Sequence, residues 1–180
     1  MRIFYPSLFV LGAILSACAL SEETCQTGDW TAIGKADGAR GLDAAQLERY
    51  QKRCAKFDAM PDAKAWEAGR QDGLKLYCTL PNAYDLGKQG RRLRPACAPE
   101  TQANMQTAYR DGRTLYDIEL DINRARADLR EAHQVLATAP ADSSAAAKAR
   151  SDIFFHRSEI QRLTWRYDRK EAAFDRNYAL

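Results

Sequence analysis

The stretch Trp66-Glu-Ala-Gly69-Arg70-Gln-Asp72-Gly73-Leu-Lys-Leu-Tyr77-Cys78 decides the fold. Gly69 and Gly73 are four residues apart, so on a helix they share one face. A glycine inside a helix costs about 1 kcal/mol relative to alanine, so a pair in register needs a compensating contact. The unit recurs. Trp30 opens Trp-Thr-Ala-Ile-Gly34-Lys-Ala-Asp37-Gly38-Ala-Arg40-Gly41, Tyr84 opens Tyr-Asp-Leu-Gly87-Lys-Gln-Gly90, and Tyr109 opens a fading copy, Tyr-Arg-Asp-Gly112-Arg. Each copy is an aromatic followed by glycine, in most copies with a second glycine three or four residues on.

Two explanations fit such a stripe. In the plainer one, a second helix or an aromatic ring from the next repeat lies against the bare face. In the sharper one, the stripe floors a groove for a glycan strand. Trp30 and Trp66 would stack on sugar rings there, and Asp37 and Asp72, at equivalent repeat positions, would do acid–base work. The plainer role for these carboxylates is capping, or pairing with Arg40, Arg70 and their neighbours. A phosphate-cradling loop is excluded, since no G-x-G-x-x-G follows a strand and no G-K-[ST] occurs.

Working outward, the spacing predicts helices over about 29–40, 43–55, 62–77 and 81–89. Asp43 and Asp62 are the expected N-caps of the second and third. Strand-type alternation is scarce. Residues 90–99, with Arg91, Arg92, Arg94, Pro95 and Pro99, form a loop closed by Cys97. The short run Arg91-Arg92-Leu93-Arg94 is either a solvated loop or a patch for lipid phosphates or an anionic envelope polymer.

Beyond Pro99 the period changes. Met105, Ala108, Gly112, Leu115, Ile118, Ile122, Ala125, Leu129, Ala132 and Leu136 step by 3 and 4 in alternation, a heptad seam. Pro140 and two serines interrupt it near 138–144. A second seam runs Ala149, Ile153, His156, Ile160, Leu163, Tyr167, Lys170, Phe174, with polar faults at His156 and Lys170. The two runs are expected to fold back as an antiparallel hairpin, with Ile122 near Ile160 and Ile118 near Leu163. Phe154, Phe155 and Trp165 lie mostly off this seam. They either pack on the hairpin's flank or face a further contact. The fold class is therefore all-α, a small helical domain followed by a long helical hairpin.

The N-terminus supplies an address. Arg2 precedes an apolar run from Leu8 to Leu15, then Leu15-Ser16-Ala17-Cys18. A positive start, a short apolar stretch and small residues at a cut site are the parts of a signal peptide. The run is too short to span a bilayer, which takes about 20 residues. Leu-Ser-Ala-Cys resembles the lipobox of bacterial lipoproteins. That resemblance implies cleavage before Cys18 and acylation of its sulfur. Ala19 stands where aspartate would signal inner-membrane retention, so the resemblance points to the outer membrane, periplasmic face. Two or three acyl chains hold firmly where one binds marginally. The tether to Cys25 reaches at most roughly 25 Å when extended.

Four cysteines remain: Cys25, Cys54, Cys78 and Cys97. An even number in an exported chain predicts two disulfides, for which three connectivities exist. Cys25–Cys54 with Cys78–Cys97 is favoured, because an antiparallel pairing of the first two helices brings Cys25 to Cys54. Spacings of 29, 24 and 19 residues, without C-x-x-C, argue against zinc. Four units follow: 1–17 signal peptide, 18–24 lipidated tether, 25–98 disulfide-stapled domain, 99–180 hairpin.

Removing Arg2 from the 27 Lys+Arg leaves 26 against 24 Asp+Glu, a balance that argues against nucleic-acid binding. The histidines, His133 and His156, fall on opposite arms and out of register, and no G-x-S-x-G elbow occurs. No catalytic constellation, metal or cofactor is expected.

Cys25-x-x-Gly-Asp-Trp30, Gly34–Asp37–Gly38–Gly41, Trp66-x-x-Gly-Arg-x-x-Gly-Leu-x-x-Tyr-Cys78 and Leu86-Gly-x-x-Gly together resemble a family of small Gram-negative lipoproteins classed only as a domain of unknown function. The likeness covers most of the chain and is specific over 25–97. It departs at Gln89, where the first two copies carry aspartate. It implies export, lipidation and paired cysteines, and no activity. The expectation is a non-enzymatic envelope lipoprotein. It would touch the membrane through the Cys18 lipid, and another envelope protein or its own copy through the hairpin. Its alternative is binding or hydrolysis of a cell-wall or surface polysaccharide.

Overall fold

The computed structural model describes residues 20–178. The expected signal peptide, residues 1–17, and Cys18 lie outside the described residues. Within them the chain forms α1 (Glu22–Thr27), α2 (Trp30–Ala39), α3 (Ala45–Cys54), a 3-10 turn (Ala55–Phe57), α4 (Ala63–Tyr77), α5 (Leu80–Lys88), α6 (Pro99–Thr138) and α7 (Ser144–Tyr178), with no strand.

Local chemistry sets most of the starts. The side chains of Ser21, Asp29, Asp62 and Thr79 accept the N–H of Thr24, Ala32, Ala65 and Asn82, supplying bonds the first turns lack. Asp43 is not the N-cap expected for α3. That helix starts one residue later behind Ala44, without a side-chain cap, and Asp43 lies 3.9 Å from Arg49 instead.

Glycine sets two of the ends. Gly41 and Gly90 both have φ of +68°, open to glycine at little cost. At the first, Leu42 N–H reaches the Asp37 carbonyl and Gly41 N–H that of Gly38. At the second, Arg91 N–H reaches Leu86 and Gly90 N–H reaches Gly87. This is the Schellman stop, made twice.

The glycine stripes face each other. A β-carbon at Gly34 would strike the Trp66 carbonyl, and one at Gly38 that of Arg70. Gly69 and Gly73 are crowded in the same way by the carbonyls of Thr31 and Lys35. Because the partner number rises with the glycine number, α2 and α4 run parallel, and α3 is the return crossing. The pattern repeats in α5 and α6, where Gly87 meets the carbonyl of Tyr109 and Gly112 that of Tyr84. The four sequence copies thus make two pairs, each copy packed on the next. A tyrosine ring then covers each stop glycine: Tyr77 lies on Gly41 and Tyr116 on Gly90.

Disulfides join Cys25 to Cys54 and Cys78 to Cys97. Cys25 belongs to its own short helix, α1, rather than to the helix starting at Trp30. The first bridge therefore pins α1 to the end of α3, beside buried Trp30, Tyr50 and Trp66.

Helix α6 serves two neighbours. Its first turns, with buried Met105, Ala108 and Leu115, pack on α5 through Ala83, Tyr84 and Leu86. Its remaining length meets α7, where Ile118, Ile122 and Leu163 cluster with Tyr167 alongside. At 1.5 Å per residue the 40 residues of α6 extend about 60 Å. The far end of α7 returns to α5: Lys88 pairs with Glu171 at 2.6 Å, and Tyr84 donates to Asp175 at 2.9 Å.

Candidate functional site

Asp37 is the most constrained polar group described. It is fully buried, although isolated carboxylates are very costly to bury. The cost is met by three donors from three parts of the chain. Tyr50 of α3 donates its hydroxyl at 2.9 Å, Trp66 of α4 its indole N–H at 2.9 Å, and Arg40, the residue that ends α2, its guanidinium. Burial raises the Tyr50 phenol above its ordinary range. Helix α2 can place Asp37 here because Gly34 and Gly38 let α4 come close enough for Trp66 to reach across.

Asp72, its repeat partner, is in a different place. It is exposed and pairs with Lys75 at 2.6 Å, which holds its carboxyl below the usual range. The two aspartates do not share a cleft. Trp30 and Trp66 are buried, at 6% and 0% exposure, and offer no face to a sugar. The glycan groove expected from the sharper reading is thus corrected. The bare glycine faces are filled by backbone, and the tryptophans form the core that this approach creates.

Arg70 also is buried, over the Trp66 ring at 5.7 Å. It makes two 2.7 Å bonds to Glu67, and these hold the Glu67 carboxyl below its ordinary value. Its remaining reach goes to the Leu42 carbonyl at 3.4 Å. Asp37, Tyr50, Trp66 and Arg70 therefore form a structural network: every group is engaged and none is aimed at open space.

Tyr50 and Tyr77 were not singled out from sequence. Tyr77 accepts the Arg94 N–H at 2.7 Å while its ring closes over Gly41. A signal existed: Gly73-x-x-x-Tyr77 has a counterpart in Gly112-x-x-x-Tyr116. On the hairpin, His133 is exposed and His156 half-buried, and the two do not meet in one site. Phe154, Phe155 and Trp165 are exposed at 77%, 58% and 59%, so they do not pack on the flank of the hairpin. Arg169 lies over the Trp165 ring at 4.6 Å.

Residues 29–114 match the family described as protein of unknown function (DUF2799). This segment belongs to the DUF2799 family. The DUF2799 segment runs from the N-cap of α2 to two residues past Gly112, so it contains both glycine-mediated helix pairs. The hairpin beyond Thr114 lies outside it. The chain has no match among curated proteins or among solved structures.

Proposed function

We propose that the chain is a lipid-anchored envelope protein acting as a non-enzymatic interaction module. The observation that carries this is Leu15-Ser16-Ala17-Cys18 ahead of four cysteines joined in two disulfides. Disulfides persist in oxidising compartments such as the periplasm, and the cysteine left over is the one a lipoprotein signal requires. The DUF2799 helices form a stapled base, and the hairpin extends from it. Phe154, Phe155 and Trp165 along α7 supply apolar surface for a partner, either another envelope protein or a second copy. The proposed site is the periplasmic face of the outer membrane.

The test is metabolic labelling with palmitate, followed by membrane fractionation of the wild-type chain and of Cys18→Ser. Labelled wild type in the outer membrane and unlabelled Cys18→Ser support the reading. Absence of label from the wild type overturns it. Crosslinking in the native envelope then tests the module: a specific adduct lost on Trp165→Ser supports it, and no adduct counts against it.

A further inference from the structure

Where the Gly41 stop, α3 and the loop between α5 and α6 meet, there is a cleft of about 400 Å³ lined by Gly41, Asp43, Arg49, Arg92, Arg94 and Pro95. Its volume falls within the roughly 300–1,000 Å³ typical of small-molecule pockets. Three arginines from two separate chain segments line it, against one aspartate. Like charges brought together raise the local potential and attract an anion. Asp43 offsets Arg49 only at 3.9 Å. Arg92 and Arg94 are exposed and, among the described residues, form no ion pair. A cleft of similar volume between the hairpin arms has the opposite balance, with Asp128, Glu131 and Asp152 against Lys148.

The walls are held before any ligand arrives. The Tyr77 ring packs on Gly41 on one side, and its hydroxyl takes the Arg94 N–H on the other. The Cys78–Cys97 bridge ties down the far end of the loop. A fixed frame lowers the ordering cost of binding. Gly41 contributes no side chain to the cleft.

We propose that this cleft is an anion site for a phosphate group. Guanidinium forks match phosphate oxygens two at a time, which gives arginine clusters their preference for this chemistry. The phosphate belongs either to a phospholipid headgroup or to a soluble phosphorylated ligand. The cleft stands on residues 41–96 and not on the anchor. Loss of the palmitate label would therefore overturn the envelope reading and leave this site intact.

The experiment uses the full chain in neutral detergent micelles, observed through its arginine side-chain N–H resonances. One arm adds inorganic phosphate, and the other dopes the micelles with phosphatidylglycerol. The variants are Arg92→Gln with Arg94→Gln as the site double, and Arg157→Gln as a charge control on α7, with circular dichroism verifying the fold. The expected result is saturable binding of at least one probe, weakened about tenfold or more in the double variant and unchanged in the control. Phosphatidylglycerol binding without inorganic phosphate binding assigns the lipid source; saturable inorganic phosphate binding assigns a soluble one. No saturable binding of either probe overturns the site. So does equal binding by the double variant, or equal weakening by Arg157→Gln.

Discussion

The indole N–H of Trp66 meets the carboxylate of Asp37 at 2.9 Å across 29 residues of sequence, inside a core from which water is excluded. Removing the carboxylate strands the Tyr50 and Trp66 donors inside the core, while Arg40 stays in solvent. Each buried donor left without a partner costs about 1–3 kcal/mol, so together about 2–6 kcal/mol. Asp37→Ala is expected to fall in that range, and Tyr50→Phe, which removes one donor, to cost about 1 kcal/mol. Asp72→Asn, at the equivalent exposed position, should leave the unfolding midpoint unchanged. Urea denaturation of the three variants decides it: similar midpoints for Asp37→Ala and Asp72→Asn would mean that the network does not hold the core.

The glycine pairs make a prediction of opposite sign to intuition. On an exposed helix Gly→Ala stabilises by about 1 kcal/mol. At Gly38 the added methyl would run into the Arg70 carbonyl, and at Gly112 into that of Tyr84. Backbone cannot yield as a side chain can, so the paired helices must separate. Gly38→Ala and Gly112→Ala should each destabilise by about 1–3 kcal/mol or more. Thermal unfolding followed by circular dichroism reads the sign directly, and stabilisation at either position would refute the close approach.

Much of the fold was legible because it rests on local signals. Helix period, the cap at Asp62 and the heptad steps beyond Pro99 all act within a few residues. The glycine stripes announced a close contact without saying with what. The parallel pairing of α2 with α4, and of α5 with α6, depends on crossings that no local pattern encodes. Asp37 and Asp72 look alike in the repeat yet differ wholly in burial. The difference lies in partners 13 and 29 residues away from Asp37, Tyr50 and Trp66, which a short window cannot see. The early seam positions Ala108 and Gly112 read as heptad members facing α7, but they serve α5. Small residues satisfy a heptad count and a close-packed pair equally well.

The junction of α5 with the two long helices is sensitive to alkali. Tyr178 donates to Asp111 at 2.6 Å, and burial, then that bond, pushes its phenol up to about 12. Tyr84, buried and bonded to Asp175, is raised as well. A phenol raised on folding keeps its proton longer in the native state than in the unfolded one. The native state then binds more protons above pH ~10, so stability falls as pH rises. The contribution is complete below pH ~10 and lost as pH passes about 12. Urea midpoints at pH 8 to pH 12 should decline more steeply for the wild type than for Tyr178→Phe. Equal slopes would place the coupling elsewhere.

His156 occupies a seam position of α7, with its Nδ1 buried and without a hydrogen-bond partner. The nearest carboxylate oxygen, on Glu159, stands at 3.7 Å, beyond hydrogen-bond reach. The neighbouring ring, Phe155, meets it edge-on and offers no acceptor. A polar atom desolvated without a bond costs about 1–3 kcal/mol, and an apolar side chain at the same point removes that cost. Leucine also restores the apolar alternation that runs through Ile153, Ile160 and Leu163. His156→Leu is therefore expected to stabilise by about 1–2 kcal/mol, raising Tm by roughly 2–8 °C for a chain of this size. His133→Leu, on the exposed face of α6, serves as the control and should change little. Scanning calorimetry of both variants reads the difference. A loss of stability in His156→Leu would overturn the account of His156 as an unsatisfied polar fault in the seam.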